Sequence, residues 1–192
     1  MNKKRKWYDY MWIASLVYLI MGFFNIMFAW AGLLCFFIPL IISVAAGTKG
    51  YCNSYCGRGQ LFGILGGRLG LSVRKDMPKW MVSKWFRYIF LVFFMAMFAI
   101  MIWNTFLVFS GGKSLSQAVT LMWSFKVPWH WAYHGTLFHQ GVAQFAFGFY
   151  GIMVTSTILG MLTMVIFKPR SWCVYCPMGT MTQLICKAKG GL

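Results

Sequence analysis

Apolar residues gather into three long stretches, 11–46, 88–109 and 142–167, separated by segments that carry nearly all of the charge. About 20 helical residues cross the hydrocarbon of a bilayer, so the second and third stretches each predict one spanning helix. The first is long enough for one tilted helix or for two short helices joined by a tight turn. Charge decides between them. Lys3, Lys4, Arg5 and Lys6 precede the run, and Lys49, Arg58, Arg68, Arg74, Lys75, Lys79, Lys84 and Arg87 follow it. Basic segments stay on the cytoplasmic face, which requires an even number of crossings and predicts two helices with their turn between Gly22 and Gly32. The run is too long for the core of a cleaved signal peptide, so it reads as an anchor; Pro39 lies within its second helix.

The same rule sends the helix of 88–109 outward and brings the helix of 142–167 back, returning Lys168, Arg170, Lys187 and Lys189 to the inner face. Only Lys113 and Lys126 remain outside. Trp7, Tyr8, Tyr10 and Trp12, then Trp80 and Trp85, then Trp123, Trp129 and Trp131 fall at the expected headgroup levels. Asp76 followed by Pro78 predicts a helix that starts along the membrane surface and continues into the span of 88–109. Beyond 109, Leu115, Val119, Met122 and Phe125 recur at three to four residues and predict a short surface helix, either a lid or a contact for a partner or quinone.

Composition agrees with a bilayer setting. Of 192 residues, 60% are hydrophobic and 10% charged, and Asp9 and Asp76 are the only acids, too few to build a water-facing shell. The net charge of +16 sits between apolar runs rather than on one polar face, which argues against nucleic acid. Two acids also exclude chemistry based on paired carboxylates. The expected fold is an all-α integral membrane protein, one membrane domain over 1–192. Within it, 11–65 forms a first hairpin and CxxxC motif, 66–87 a basic interfacial linker, and 88–186 a second hairpin and CxxC motif.

Each hairpin is followed by a cysteine pair. Tyr55-Cys56-Gly57-Arg58-Gly59 aligns with Tyr175-Cys176-Pro177-Met178-Gly179, and Leu61, Ile64 and Leu65 align with Met181, Leu184 and Ile185. Both units leave from the same face, so they are parallel repeats about an axis along the membrane normal. Their packing brings Cys52, Cys56, Cys173 and Cys176 to one cytoplasmic depth. Four thiolates suit a tetrahedral zinc ion or an iron–sulfur cluster, and Cys173 with Cys176 alone suits a thiol–disulfide relay. Gly59 and Gly179 let backbone N–H groups approach the sulfurs, and the surrounding Arg and Lys residues favour an anionic centre. Cys35 reads as a small packing residue, and Cys186 lies on a surface helix beyond the second motif.

Tyr51-Cys52-Asn53-Ser54-Tyr55-Cys56 and Ser171-Trp172-Cys173-Val174-Tyr175-Cys176-Pro177-Met178-Gly179, each after a helical hairpin, resemble the membrane iron–sulfur proteins related to NapH, NosR and CcoG, associated with nitrate reductase, nitrous oxide reductase and cytochrome oxidase assembly systems. Gly57 departs from the family pattern, which places proline after the first pair, and the soluble ferredoxin run of four cysteines is missing from this sequence. The resemblance implies a multi-pass protein of a prokaryotic cytoplasmic membrane, with termini and motifs inside. It would carry one [4Fe-4S] cluster on Cys52, Cys56, Cys173 and Cys176 and exchange electrons with separate redox subunits, a ferredoxin-like carrier or the quinone pool. It is an electron-transfer component rather than an enzyme by itself; a structural subunit with a zinc site is the further alternative.

A spanning helix is about 30 Å long, so an inner cluster cannot reach the outer face in one step. Electrons either stay near the inner face or use a second centre such as haem. His130 and His134, four apart, would share a helical face, and His139, Gln140 and Gln144 are the candidates for a quinone. Asn25 and Asn104 are expected to join helices through amide hydrogen bonds.

Overall fold

The computed structural model describes residues 7–48, 50–135 and 138–190. The expected basic residues Lys3, Lys4, Arg5, Lys6 and Lys49 lie outside these. The chain is mostly helical: α1 (Met11–Phe24), α2 (Gly32–Ala46), α3 (Gly57–Gly67), α4 (Lys79–Val82) and α5 (Lys84–Phe109) precede a two-stranded hairpin, β1 (Ala118–Leu121) and β2 (Phe125–Pro128). Then come α6 (Gln140–Ile166), α7 (Trp172–Tyr175) and α8 (Pro177–Ala188). Three helical segments are long and apolar enough to cross a membrane: Ile26–Ala46, Lys84–Phe109 and Gln140–Ile166. The apolar helix Tyr8–Phe24 is shorter than these.

The first apolar run divides as charge demands, and Asn25 makes the break. Its backbone is extended, and its side-chain oxygen accepts from Met27 N at 3.0 Å, capping the 3-10 turn Ile26–Ala31 that leads into α2. Asn25 therefore starts a helix rather than joining two, because its amide is spent on its own chain. Asn104 likewise donates to Ile100 O on its own helix. Pro39 sits inside α2 without ending it.

Contacts sort the chain into two compact units. The first comprises Met1–Val17, Phe36–Leu91 and Ile158–Leu192. Here Phe62 is fully buried, its ring occupying the space over Gly160 beside Trp172. The linker that follows α3 is laced to the end of α6: Val73 N donates to Val165 O at 2.9 Å, Ser72 Oγ donates to Phe167 O, and Lys75 forms a parallel bridge with Phe167. Asp76 pairs with Lys168 instead of capping a helix, and Pro78 alone precedes α4. α4 does not run on into the span: Ser83 turns extended and its Oγ accepts from Phe86 N at 3.3 Å, starting α5 afresh.

The second unit comprises Tyr18–Cys35 and Val92–Thr157. Its core is Ile26, Ala29, Val119, Ala132, Ala146, Phe147 and Tyr150. Tyr150 donates to Leu19 O at 2.8 Å and Trp131 Nε1 to Phe23 O at 3.1 Å, so aromatic donors satisfy carbonyls near the end of α1. The surface helix expected through Leu115, Val119, Met122 and Phe125 is instead the hairpin. Val119 pairs with Val127 and Thr120 with Lys126, around a turn in which Met122 and Trp123 both have positive φ, 48° and 61°. That is the backbone of a hairpin turn normally signalled by Asn-Gly. It lies directly on α6, where a β-carbon on Gly151 would stand 2.9 Å from Thr120 O.

Gly151→Val is expected to push the hairpin off α6 and destabilise the protein by roughly 1–3 kcal/mol, an overpacking cost. Gly67→Ala, where a β-carbon meets open space, serves as the control, expected within about 0.5 kcal/mol of the parent. Thermal unfolding in neutral detergent compares them.

Candidate functional site

Both cysteine motifs lie in the first unit, and they are built alike. Cys52 sits in a single π-helical turn, Tyr51–Tyr55, and Cys173 in the short helix α7. The second cysteine of each pair then turns extended, with ψ 103° at Cys56 and 129° at Cys176, and caps the next helix. The first helical bonds repeat as well: Gln60 N donates to Cys56 O at 3.0 Å, and Thr180 N to Cys176 O at 2.9 Å. An extended residue followed at once by a helix aims its side chain along the helix's free N–H groups. Neither cysteine side chain makes a cap hydrogen bond, but the Gly179 and Met178 N–H groups oppose the rise of the Cys176 pKa.

The two motifs meet over Gly59. A β-carbon placed there would stand 3.5 Å from Cys173 Sγ and 3.7 Å from Cys56 Sγ. Glycine leaves that point empty, so thiols from distant chain segments face one space. Electrostatics places the other two nearby. The Cys173 thiol is pushed up to about 11, by burial first and then by Cys56, with Arg170 opposing and Cys52 adding to the rise. Burial pushes Cys176 up to about 12, its backbone N–H bonds oppose this, and Cys56 and Cys173 raise it further. Cys173 keeps an exposed edge even though protein mass surrounds its sulfur.

Thiols held this way are poor exchange nucleophiles, since a relay cysteine needs a lowered pKa. Burial disfavours the thiolates of Cys173 and Cys176, a cost that a metal centre offsets when thiolates ligate it. Their spacing bears on which centre. Four thiolates on one zinc ion stand about 3.8 Å apart, and among the described residues no group of three or more His, Cys, Asp or Glu is placed to hold a single metal ion. A cubane cluster spreads its irons, so its thiolates stand wider. The four-cysteine donor set suits either centre by its chemistry.

Neighbours fix the frame. Trp172 and Tyr175 are each 3% exposed; their rings pack edge-on against Phe90 at 5.7 and 5.0 Å, and Tyr175 meets Phe86 at 5.3 Å. Tyr55 holds the other turn through Tyr8 at 5.2 Å. Gly57 has a local reason to depart from the proline pattern: a β-carbon there would meet Ser15 and stand 2.5 Å from Met11 O. Sequence reading passed over two positioning residues. Gln60 Nε2 donates to Tyr8 O and to Ser54 O, each at 2.8 Å, tying the N-terminal turn to the first motif. Thr182 Oγ1 lies 3.7 Å from Cys52 Sγ. A lone amide before the apolar run Leu61 and Phe62, and buried threonines on α8, were the available signals.

The other expected residues lie elsewhere. Cys35 is exposed on α2 rather than packed, and Cys186 is fully buried on α8. His130 and His134 do not share a helical face, because the 3-10 turn His130–Ala132 ends in an extended Tyr133. His139 Nδ1 accepts from Gly141 N at 3.1 Å and starts α6, with its ring 4.7 Å from Phe109. Gln144 accepts from Ser116 N at 2.9 Å. No family model, curated protein or solved structure matches the chain.

Gln60→Leu roughly keeps the volume but strips the Tyr8 and Ser54 carbonyls of a part-buried donor, at a cost of about 0.5–1.5 kcal/mol. The expected outcome is a lowered Tm and faster alkylation of Cys52 and Cys56 by a water-soluble maleimide, with Cys35 labelling unchanged.

Proposed function

We propose that the chain is a membrane electron-transfer subunit that holds one [4Fe-4S] cluster between Cys52, Cys56, Cys173 and Cys176. The observation that carries this reading is the pair of sulfurs, Cys56 from one motif and Cys173 from the other, facing the same vacant point over Gly59. When bound, such a cluster takes up and gives back single electrons. The chain's own residues do the rest. Gly179 and Met178 N–H groups favour the thiolate of Cys176, Arg170 draws the Cys173 thiol toward thiolate, and the buried Trp172 and Tyr175 keep water from the turn between them. Cys173 has the solvent-facing edge, so a soluble carrier or partner subunit docks there.

The proposed topology has four crossings, with Tyr8–Phe24 as the shortest and both motifs on the cytoplasmic face of a prokaryotic inner membrane. It is supported by charge: every Lys and Arg except Lys113 and Lys126 belongs to the unit that holds the cysteines. The hairpin-plus-motif repeat is supported by the matching turns at Cys56 and Cys176. The resemblance to the NapH, NosR and CcoG group supplies the cluster type and the expectation of separate redox partners, with the quinone pool as one source of electrons.

Anaerobic purification followed by iron and sulfide analysis tests the reading. About four of each per chain are expected, with an electron paramagnetic resonance signal on reduction. Single Ser replacements at Cys52, Cys56, Cys173 or Cys176 are expected to lose most of the iron, while Cys35→Ala retains it. Gly59→Val fills the vacant point and is expected to lose iron with helicity intact by circular dichroism. A metal-free chain that supports full electron transfer would defeat the proposal, and reversible disulfide formation between Cys173 and Cys176 without need of Cys52 or Cys56 would replace it with the thiol relay.

A further inference from the structure

The second unit contains a cavity of about 310 Å³ between α5, the hairpin and α6. Its charge is unusual for this protein. Lys113 and Lys126 are the two basic residues of that unit, they lie on opposite sides of β1 in sequence, and both line this one cavity. The unit has no acid at all, since Asp9 and Asp76 both belong to the other. Two ammonium groups lining one hollow, in a unit without a carboxylate, give that hollow a positive potential that favours an anion.

The remaining lining defines the anion. Lys113 Nζ donates to Asn104 Oδ1 at 3.2 Å, which anchors it to α5 and leaves two N–H groups to give. Ser114, Ser116 and Thr120 add hydroxyls beside Lys126, the hairpin partner of Thr120. The opposite wall is apolar, built by Met97, Met101 and Ile152. At the rim, Ile100 and Trp123 are 47% and 44% exposed, so the hollow opens onto apolar surface. Cations and hydroxyls around a small space suit a phosphate group, and an apolar wall opening onto an apolar rim suits acyl chains. We propose that this cavity binds the phosphate headgroup of an anionic phospholipid through Lys113 and Lys126, a site independent of the cysteines.

The test uses the full chain in neutral detergent, followed by native mass spectrometry with phosphatidylglycerol, phosphatidylcholine of the same chain length, or inorganic phosphate. Lys113→Gln/Lys126→Gln is compared with Lys79→Gln/Lys84→Gln, which removes the same charge from the other unit. Phosphatidylglycerol is expected to stay bound to the parent and to the control, and to bind the cavity variant about 10- to 30-fold more weakly. Displacement of the lipid by millimolar inorganic phosphate would keep the phosphate site but assign it to a free anion. Equal retention of the two lipids by the parent, or equal loss in the two variants, overturns the proposal. Matching Tm values of the variants guard against misfolding as the cause.

Discussion

One missing β-carbon organises the cysteine region. At Gly59 the first turn of α3 presents bare backbone to Cys56 and Cys173, whose sulfurs both lie within van der Waals reach of where a β-carbon would stand. Everything around the point works to keep it so. Gln60, the next residue, spends both amide hydrogens on carbonyls of the preceding turns and holds Tyr8 and Ser54 against the start of α3. On the other side, Trp172 and Tyr175 bury themselves against Phe90, which fixes Cys173 between two anchored rings. A site assembled by rigid turns rather than by flexible loops needs little reorganisation when a ligand enters.

The linker between the halves of the sequence serves the same end. Residues 72–76 run alongside the last turn of α6 and the residues after it, through Val73 to Val165, Ser72 to Phe167 and Asp76 to Lys168. The second motif begins only a few residues later. Backbone bonds of this kind hold register more firmly than the exposed Asp76–Lys168 pair, worth about 0–1 kcal/mol at a surface. The linker is therefore a brace between the end of one motif's helix and the approach to the other, and its basic composition is compatible with a place beside lipid headgroups.

Much of this was legible from the residues. Apolar run lengths located the long helices to within a few residues, and charge alone required a break in the first run that Asn25 supplies. The paired cysteines and their following glycines marked the turns because cysteine and glycine have few reasons to recur at that spacing. Three features were hidden. The hairpin was masked because its turn uses Met122 and Trp123 at positive φ, where Asn and Gly usually stand, while its apolar positions imitate a helical period. His130 and His134 misled for the converse reason: a spacing of four means a shared face only if a helix exists, and the 3-10 turn stops at Ala132. Gln60 and Thr182 left only faint signals, because Tyr8 O and Cys52 Sγ, which they reach, are 52 and 130 residues away in sequence.

Charge links the two units to one logic. Around the cysteines, Arg and Lys are abundant and acids scarce, yet the burial of Cys173 and Cys176 outweighs the pull of Arg170, and both thiols are pushed upward. Desolvation thus dominates over nearby cations at these two cysteines, and under the proposed function the cluster would supply the positive charge that offsets it. In the hairpin unit the balance is reversed. There two lysines line one hollow in a unit without acids, which favours an anion rather than a cation. A chain with two acids in 192 residues cannot neutralise its own cations, and both units therefore leave charge to be met by something the sequence does not encode.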